Sequence, residues 1–243
     1  MTETSTGRMR GGEEIPSVSE PPTLPSSLWN FRLPRLYCII DRACFASTDP
    51  LNEILPFVRE LLAGGATLIQ YRNKTGSPRE VLSHARELRR VASAQRPTAN
   101  GQRPVLIVND RPDLALAAGF DGVHVGQDDV SPEAARRVIA KGIIGVSTHN
   151  LDQVRAADAA DCDYIAIGPV FATASKQNPD PVIGLEGVRA ARAATRKPLV
   201  GIGGITRANC RDVIAAGADS VAVIGDLLRD PKHAVAEFLS LLS

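Results

Sequence analysis

Short apolar runs, each closing on polar or glycine residues, recur along the chain from Arg35 onward. Leu36–Ile40, Leu68–Tyr71, Val105–Val108, Val123–Val125, Ile143–Val146, Tyr164–Ile167, Leu199–Ile202 and Val221–Ile224 read as eight buried strands. The stretches between them have helical character. After Ser77, for instance, Val81, Ala85, Leu88 and Ala92 form one apolar stripe. Start signals are explicit: Ser77-Pro78-Arg79-Glu80 joins an N-cap, a first-turn proline and a glutamate at N3, and Asp49-Pro50 and Ser131-Pro132 repeat the cap-proline pair. Helix ends rich in Ala and Gly lead into the strands at Leu62-Ala63-Gly64-Gly65-Ala66, Ala117-Ala118-Gly119-Phe120-Asp121 and Ala215-Ala216-Gly217-Ala218-Asp219, and a weaker copy stands at Ala159-Ala160-Asp161-Cys162-Asp163. Glycine suits the left-handed residue that closes a helix.

Strand–helix–strand units carry parallel strands, and eight of them closing on themselves make a (βα)8 TIM barrel. A doubly wound open sheet is the alternative. The barrel is preferred because the count is eight and no GxGxxG follows the first strand. In such a barrel the chemistry gathers at the C-terminal ends of the strands.

Composition narrows this picture. A chain of 243 residues, 44% hydrophobic, can bury one large core. Its 28 basic and 27 acidic residues nearly cancel, so charge gives no reason to expect nucleic acid or an anionic membrane as partner. No apolar run approaches the ~18–20 residues of a membrane span. Cys38, Cys44, Cys162 and Cys210 are scattered, without a CxxC, and point to a reducing, cytoplasmic setting. Residues 1–34 are rich in Ser, Thr, Pro, Gly and Glu and read as a disordered tail ahead of a catalytic domain over 35–243, with Trp29 the one anchor able to pack on the body.

The strand ends carry the candidate chemistry. Asn109-Asp110 closes strand three, and Gly126-Gln127-Asp128-Asp129 follows strand four. Parallel neighbours bring Asp110 and Asp129 to one edge, where paired carboxylates suit Mg²⁺; each alone is equally well explained as a helix cap. Gln70, Arg72 and Lys74 leave strand two, Ser147-Thr148-His149 closes strand five, and strand six runs into Gly168–Lys176, with the hydroxyls of Thr173 and Ser175 and the ammonium of Lys176. Gly201-Ile202-Gly203-Gly204 and Ile224-Gly225 end strands seven and eight, where such barrels commonly hold a phosphate on backbone N–H groups. Arg72, Lys74 and Lys176 around two acids suit a diphosphate, whose departure they would assist as the catalytic cations. A second phosphate at strands seven and eight would belong to another substrate.

In this order the motifs resemble the thiamine-phosphate synthase (thiamine-phosphate pyrophosphorylase) family. Q-x-R-x-K stands at Gln70–Lys74, ND at Asn109-Asp110, GVHxGQxD at Gly122–Asp129, S-x-H at Ser147–His149, GPxFxTx[ST]K at Gly168–Lys176 and GIGGI at Gly201–Ile205. The resemblance covers the chain from Arg35 to about Leu228. It implies that 4-amino-2-methyl-5-hydroxymethylpyrimidine diphosphate and 4-methyl-5-(2-phosphoethyl)thiazole are joined to give thiamine monophosphate and pyrophosphate. It implies Asp110 and Asp129 as Mg²⁺ ligands, and Gln70, Arg72, Lys74, Asn109, Ser147 and Lys176 on the pyrimidine diphosphate. Thr173, Ser175, Gly204, Ile224 and Gly225 would contact the thiazole phosphate. Gly225 stands where many relatives carry Ser, which removes one hydroxyl from that subsite; Ser175 replaces a frequent Thr and keeps its hydroxyl. His124 reads as a packed strand histidine, and His149 as a residue that caps the helix near Asn150 or lines the mouth. A thiazole tautomerase of the same superfamily, or a phosphate-ligand sensor without catalysis, is the rival reading; neither needs both carboxylates and the full cation set. The oligomeric state is left open.

Overall fold

A computed structural model describes Met1 and residues 31–95, 103–173 and 180–243. The strands are β1 (Leu36–Asp41), β2 (Leu68–Arg72), β3 (Val105–Asn109), β4 (Gly122–Val125), β5 (Ile143–Thr148), β6 (Tyr164–Ile167), β7 (Leu199–Ile202) and β8 (Ser220–Val223). The helices are α1 (Leu51–Ala63), α2 (Pro78–Ser93), α3 (Pro112–Ala118), α4 (Pro132–Ile139), α5 (Leu151–Ala159), α6 (Gly184–Ala194), α7 (Cys210–Ala215) and α8 (Pro231–Leu241). All neighbouring strands pair in parallel, and β8 closes on β1. The chain therefore folds as a (βα)8 barrel, and closure leaves no free sheet edge. The tail expected over residues 1–34, with Trp29, lies largely outside the described residues, as do Ser175 and Lys176.

Local sequence accounts for most element ends. Ser77 and Ser131 cap α2 and α4 by accepting from the N–H groups of Glu80 and Ala134. Gly119, at φ +67°, closes α3 as expected. Asp49 departs from expectation. Its carboxylate accepts from the Asn52 side-chain amide while Pro50 occupies the cap position, so α1 starts without a side-chain cap. Glu80 likewise leaves the reciprocal half of a capping box unmade, because Asn73 and Arg42 claim its carboxylate.

Alternation along the strands splits the core in two. One face of each strand packs beneath the helices; the other fills the barrel with Tyr37, Ile39, Leu68, Ile107, Ile143, Tyr164, Ala166, Val200 and Ala222. The aspartates of the helix-end repeat also have a shared structural task. Asp121, Asp163 and Asp219 stand just before β4, β6 and β8, and each carboxylate accepts the N–H of a residue on the preceding strand: Leu106 at 2.8 Å, Ile144 at 2.7 Å and Leu199 at 2.8 Å. Their own N–H groups donate back to the carbonyls of the same three residues. An arginine from each of α2, α4 and α6 (Arg89, Arg136 and Arg192) then pairs with the carboxylate. Three successive quarters of the barrel are thus pinned at the end opposite the strand C-termini.

Candidate active site

The lumen residues at the C-terminal strand ends build the site. Alternation from Tyr37 and Ile39 carries Asp41 inward, and alternation from Leu68 carries Gln70 and Arg72 inward. Asp41 and Arg72 are register partners and form an ion pair. The second oxygen of Asp41 accepts from Ala43 N–H at 3.0 Å. Arg72 is therefore held at the rim by a buried carboxylate, and its guanidinium starts in place. Reading the end of strand one as the other strand ends were read would have found Asp41: it is the polar residue that continues the inward Tyr37-Ile39 alternation.

Asp110 and Asp129, on the loops that follow β3 and β4, face each other at the rim within hydrogen-bonding range. Lys74 reaches both, with Nζ 2.5 Å from Asp110 Oδ2 and 3.9 Å from Asp129 Oδ2. Asp129 is steadied by Gly126 N–H at 2.8 Å. Asp110 holds a left-handed backbone at φ +65°, rare for a residue with a side chain and typical of functional positions. Its N–H donates to the His124 carbonyl at 2.8 Å, which fixes that turn. Burial, together with the neighbouring Asp129, pushes the Asp110 carboxyl up to about 6, and Lys74 works against that rise. Asp129 moves the other way and is lowered by Asp110, Gly126 N–H and Lys74 against its own burial. Two acids at this spacing around one cation form a site for positive charge.

Among the described residues no group of three or more His, Cys, Asp or Glu side chains gathers to hold a metal. Two carboxylates at a half-open rim are a poor zinc site. They fit Mg²⁺, which commonly takes one or two carboxylates and fills its remaining positions with water and phosphate oxygens. The Asp110–Asp129 pair, already sharing an ammonium, passes that test.

Other expected residues fall into place unevenly. Asn109 sits beside Asp110 with its Nδ2 buried and unpartnered among the described residues, a donor positioned for something not yet bound. Ser147 is half-buried, with His124 Nε2 at 2.8 Å from its hydroxyl and Gln127 Nε2 on its carbonyl at 2.6 Å. Gln70 lies deeper than its strand end suggested; it is 2% exposed and donates its amide to Tyr37 at 2.8 Å inside the barrel. His124 is the packed, hydrogen-bonded strand residue expected, bonded to Tyr164 at 2.9 Å. His149 does both tasks in part: its N–H donates to Gln153 Oε1 at 2.7 Å at the start of α5, and its ring bonds the Gly168 carbonyl at 2.7 Å.

On the far side of the rim, Thr173 is half-buried, Ile224 half-buried and Gly225 exposed at the start of a 3₁₀ turn, Gly225–Leu227. Gly203 and Gly204, at φ +100° and +63°, serve the protein first. A Cβ on Gly203 would stand 2.6 Å from Pro169, and one on Gly204 2.5 Å from the Ala172 carbonyl. The two glycines let the β7 loop lie against the β6 loop, where Val170 and Phe171 N–H donate to the Ile202 and Gly203 carbonyls at 2.8 and 3.0 Å.

A closed βα barrel whose rim gathers paired carboxylates, a shared lysine and a pinned arginine, opposite a glycine-built loop pair, is the architecture of an enzyme acting on phosphorylated small molecules. The family model described as thiamine monophosphate synthase matches residues 36–227. The thiamine-phosphate synthase of Koribacter versatilis is 58% identical over 212 residues, 87% of this chain and 97% of that protein. The enzyme of the same name from Chloroflexus aurantiacus is 46% identical over 78% of this chain and 83% of its own length. The solved structure of thiamine phosphate pyrophosphorylase from Pyrococcus furiosus superposes with a TM-score of 0.73 at 34% identity, covering 86% of this chain and 95% of that one. The chain belongs to the thiamine monophosphate synthase family.

Proposed function

We propose that this rim expels pyrophosphate from 4-amino-2-methyl-5-hydroxymethylpyrimidine diphosphate and delivers the pyrimidine to the ring nitrogen of 4-methyl-5-(2-phosphoethyl)thiazole, yielding thiamine monophosphate. The observation that carries the reading is the shared placement of Lys74 on Asp110 and Asp129. A preformed acidic pair that already attracts a cation, next to Arg72, is what a diphosphate with its counterion needs. Asp110 and Asp129 would hold Mg²⁺, which supplies charge neutralisation to the diphosphate oxygens when bound.

The chain's own side chains do the rest. Arg72, oriented by Asp41, and Lys74 face the diphosphate; Lys176, which lies outside the described residues, is assigned beside them. Gln70, Asn109 and Ser147 hold the pyrimidine. Thr173, Ser175 (also outside the described residues), Gly204, Ile224 and Gly225 take the thiazole phosphate. Departure before capture is favoured because Arg72 and Lys74 stabilise the leaving diphosphate, and no covalent enzyme intermediate intervenes because the nearby thiol is disarmed. Cys44 lies within electrostatic range of Asp41 and Arg72, and burial, followed by Asp41, raises its pKa, so it remains a thiol. The positive charge developing on the pyrimidine methylene is thus met by the thiazole nitrogen rather than by a protein nucleophile.

No described helix is long and apolar enough to cross a membrane. The four cysteines are free thiols, which supports the reducing, cytoplasmic setting expected from their spacing. The test supplies both heterocycles to the full chain with and without Mg²⁺ and follows thiamine monophosphate and pyrophosphate. Stoichiometric appearance of both, dependent on Mg²⁺ and abolished in Asp110→Asn, is expected. Thiazole isomerisation without pyrophosphate release would replace this reading with the tautomerase.

A further inference from the structure

Between Arg72 and Lys74 stands Asn73, to which neither substrate has been assigned. Alternation carries Gln70 and Arg72 into the lumen and turns Tyr71 and Asn73 outward, toward α2. The Asn73 amide is fully engaged there. Its Oδ1 accepts the N–H of Thr75 at 3.2 Å and of Gly76 at 2.8 Å. Its Nδ2 donates to Tyr71 OH and to Glu80 Oε1, both at 3.3 Å. The reverse orientation would set an NH₂ group against two N–H donors, so the amide has one reading. Tyr71 is buried and bonded to His84 of α2 at 2.6 Å, which gives the donor end a fixed support. A Cβ on Gly76 would stand 2.3 Å from Asn73 Nδ2, so the glycine makes room for the amide.

The consequence falls on Lys74. Residues 73–76 are the whole connection between β2 and Ser77, the cap of α2. The N–H groups of Thr75 and Gly76 go to Asn73 Oδ1 rather than to backbone carbonyls, so a side chain closes this turn. Lys74 is the residue the turn encloses. Its long stem carries about 2 kcal/mol of rotamer entropy, and its ammonium must still reach two carboxylates at once. A fixed root shortens that search. Glu80, whose position suits a capping box on its own helix, turns to the Asn73 amide instead.

We propose that Asn73 is a positioning residue for Lys74. It closes the turn through Thr75 and Gly76, anchors it to Tyr71 and α2, and so holds the ammonium across Asp110 and Asp129. The placement rests on geometry alone; the task of Lys74 in turnover rests on the proposed reaction.

Measurements on the full chain decide the matter. An ammonium held over both acids competes with an incoming divalent ion. Calorimetric titration of substrate-free Asn73→Ala with Mg²⁺ is therefore expected to show about fivefold tighter binding, and no further gain when the change is added to Lys74→Met. A residue that merely closed a loop would lower the melting temperature without tightening Mg²⁺. In turnover, Asn73→Ala is expected to lower kcat roughly tenfold, with KM for the thiazole phosphate unchanged, and to add nothing to the loss in Lys74→Met. Unchanged Mg²⁺ affinity where Lys74→Met tightens it, or fully additive losses in kcat, overturns the proposal. Asn73→Asp with Glu80→Gln transposes amide and carboxylate and keeps both ends of the anchor; it is expected to recover the kcat lost in Asn73→Asp alone, and no recovery refutes the anchor. That pair is measured if Asn73→Ala fails to fold. If the wild-type chain forms no thiamine monophosphate, the proposed reaction fails, while a crystal structure of substrate-free Asn73→Ala still decides the placement. Lys74 Nζ is expected to leave both carboxylates; an ammonium still seated on Asp110 overturns the assignment.

Discussion

Lys74 stands where a divalent ion is proposed to go, and this gives the metal assignment a test that needs no substrate. Its Nζ lies 2.5 Å from one carboxylate and 3.9 Å from the other, with the side chain 45% exposed. Unit charges about 4 Å apart interact by ~1 kcal/mol in water and ~4 kcal/mol at an effective dielectric near 20. A half-exposed rim lies toward the watery end, so displacing the ammonium costs an incoming cation roughly 1–2 kcal/mol, or about 5- to 30-fold in affinity. Lys74→Met removes the competitor and keeps the length of the stem. Calorimetric titration of the substrate-free protein with Mg²⁺ should therefore show tighter binding in the variant, with the gain shrinking as salt is added. Turnover should move in the opposite direction, because the departing diphosphate loses a cation. Unchanged or weaker Mg²⁺ binding in Lys74→Met would mean that the acidic pair is not where the ion sits.

Further outcomes follow from neighbouring features. With the Asp110 carboxyl raised to about 6, its proton must leave before Mg²⁺ enters; affinity should be flat above that pH and weaken about tenfold per unit below it, as read by titration between pH 5 and 8. A pH-independent affinity would exclude Asp110 as a ligand. A Cβ on Gly225 would meet nothing within 4 Å, and the residue has no positive φ, so Gly225→Ser should be accepted without strain. The added hydroxyl should lower KM for the thiazole phosphate by about fivefold, the worth of roughly 1 kcal/mol in one hydrogen bond; a raised KM would place the phosphate elsewhere. Asp121→Ala strips the partner from the largely buried Arg89 and from Leu106 N–H, and should cost about 3–5 kcal/mol in urea unfolding with little change in KM. A loss below about 1 kcal/mol would show that the carboxylate pin is dispensable.

Much of the architecture is written locally. Apolar runs separated by capped amphipathic stretches define eight βα units because burial on both faces demands continuous apolar strands, and Ser77, Ser131 and Gly119 mark where helices start and stop. Asp110 and Asp129 are legible for the same reason: parallel strands deliver their C-terminal residues to one rim whatever the details of packing. Asp49 and Glu80 do not cap as their positions suggest, because each has a competing partner, Asn52 for one and Asn73 with Arg42 for the other, that only proximity reveals.

The chain by itself determined the periodicities, the number of units and the set of polar residues at the strand ends, since these depend on backbone geometry and on the side chains a few positions away. Tertiary structure decided the pairings across the barrel. Asp41 meets Arg72 through strand register, Lys74 spans two acids through loop geometry, and Tyr164 reaches His124 only because Gly145 leaves a space between them. Those contacts depend on shear and closure, which place residues far apart in sequence within hydrogen-bonding distance, and no local pattern encodes that distance.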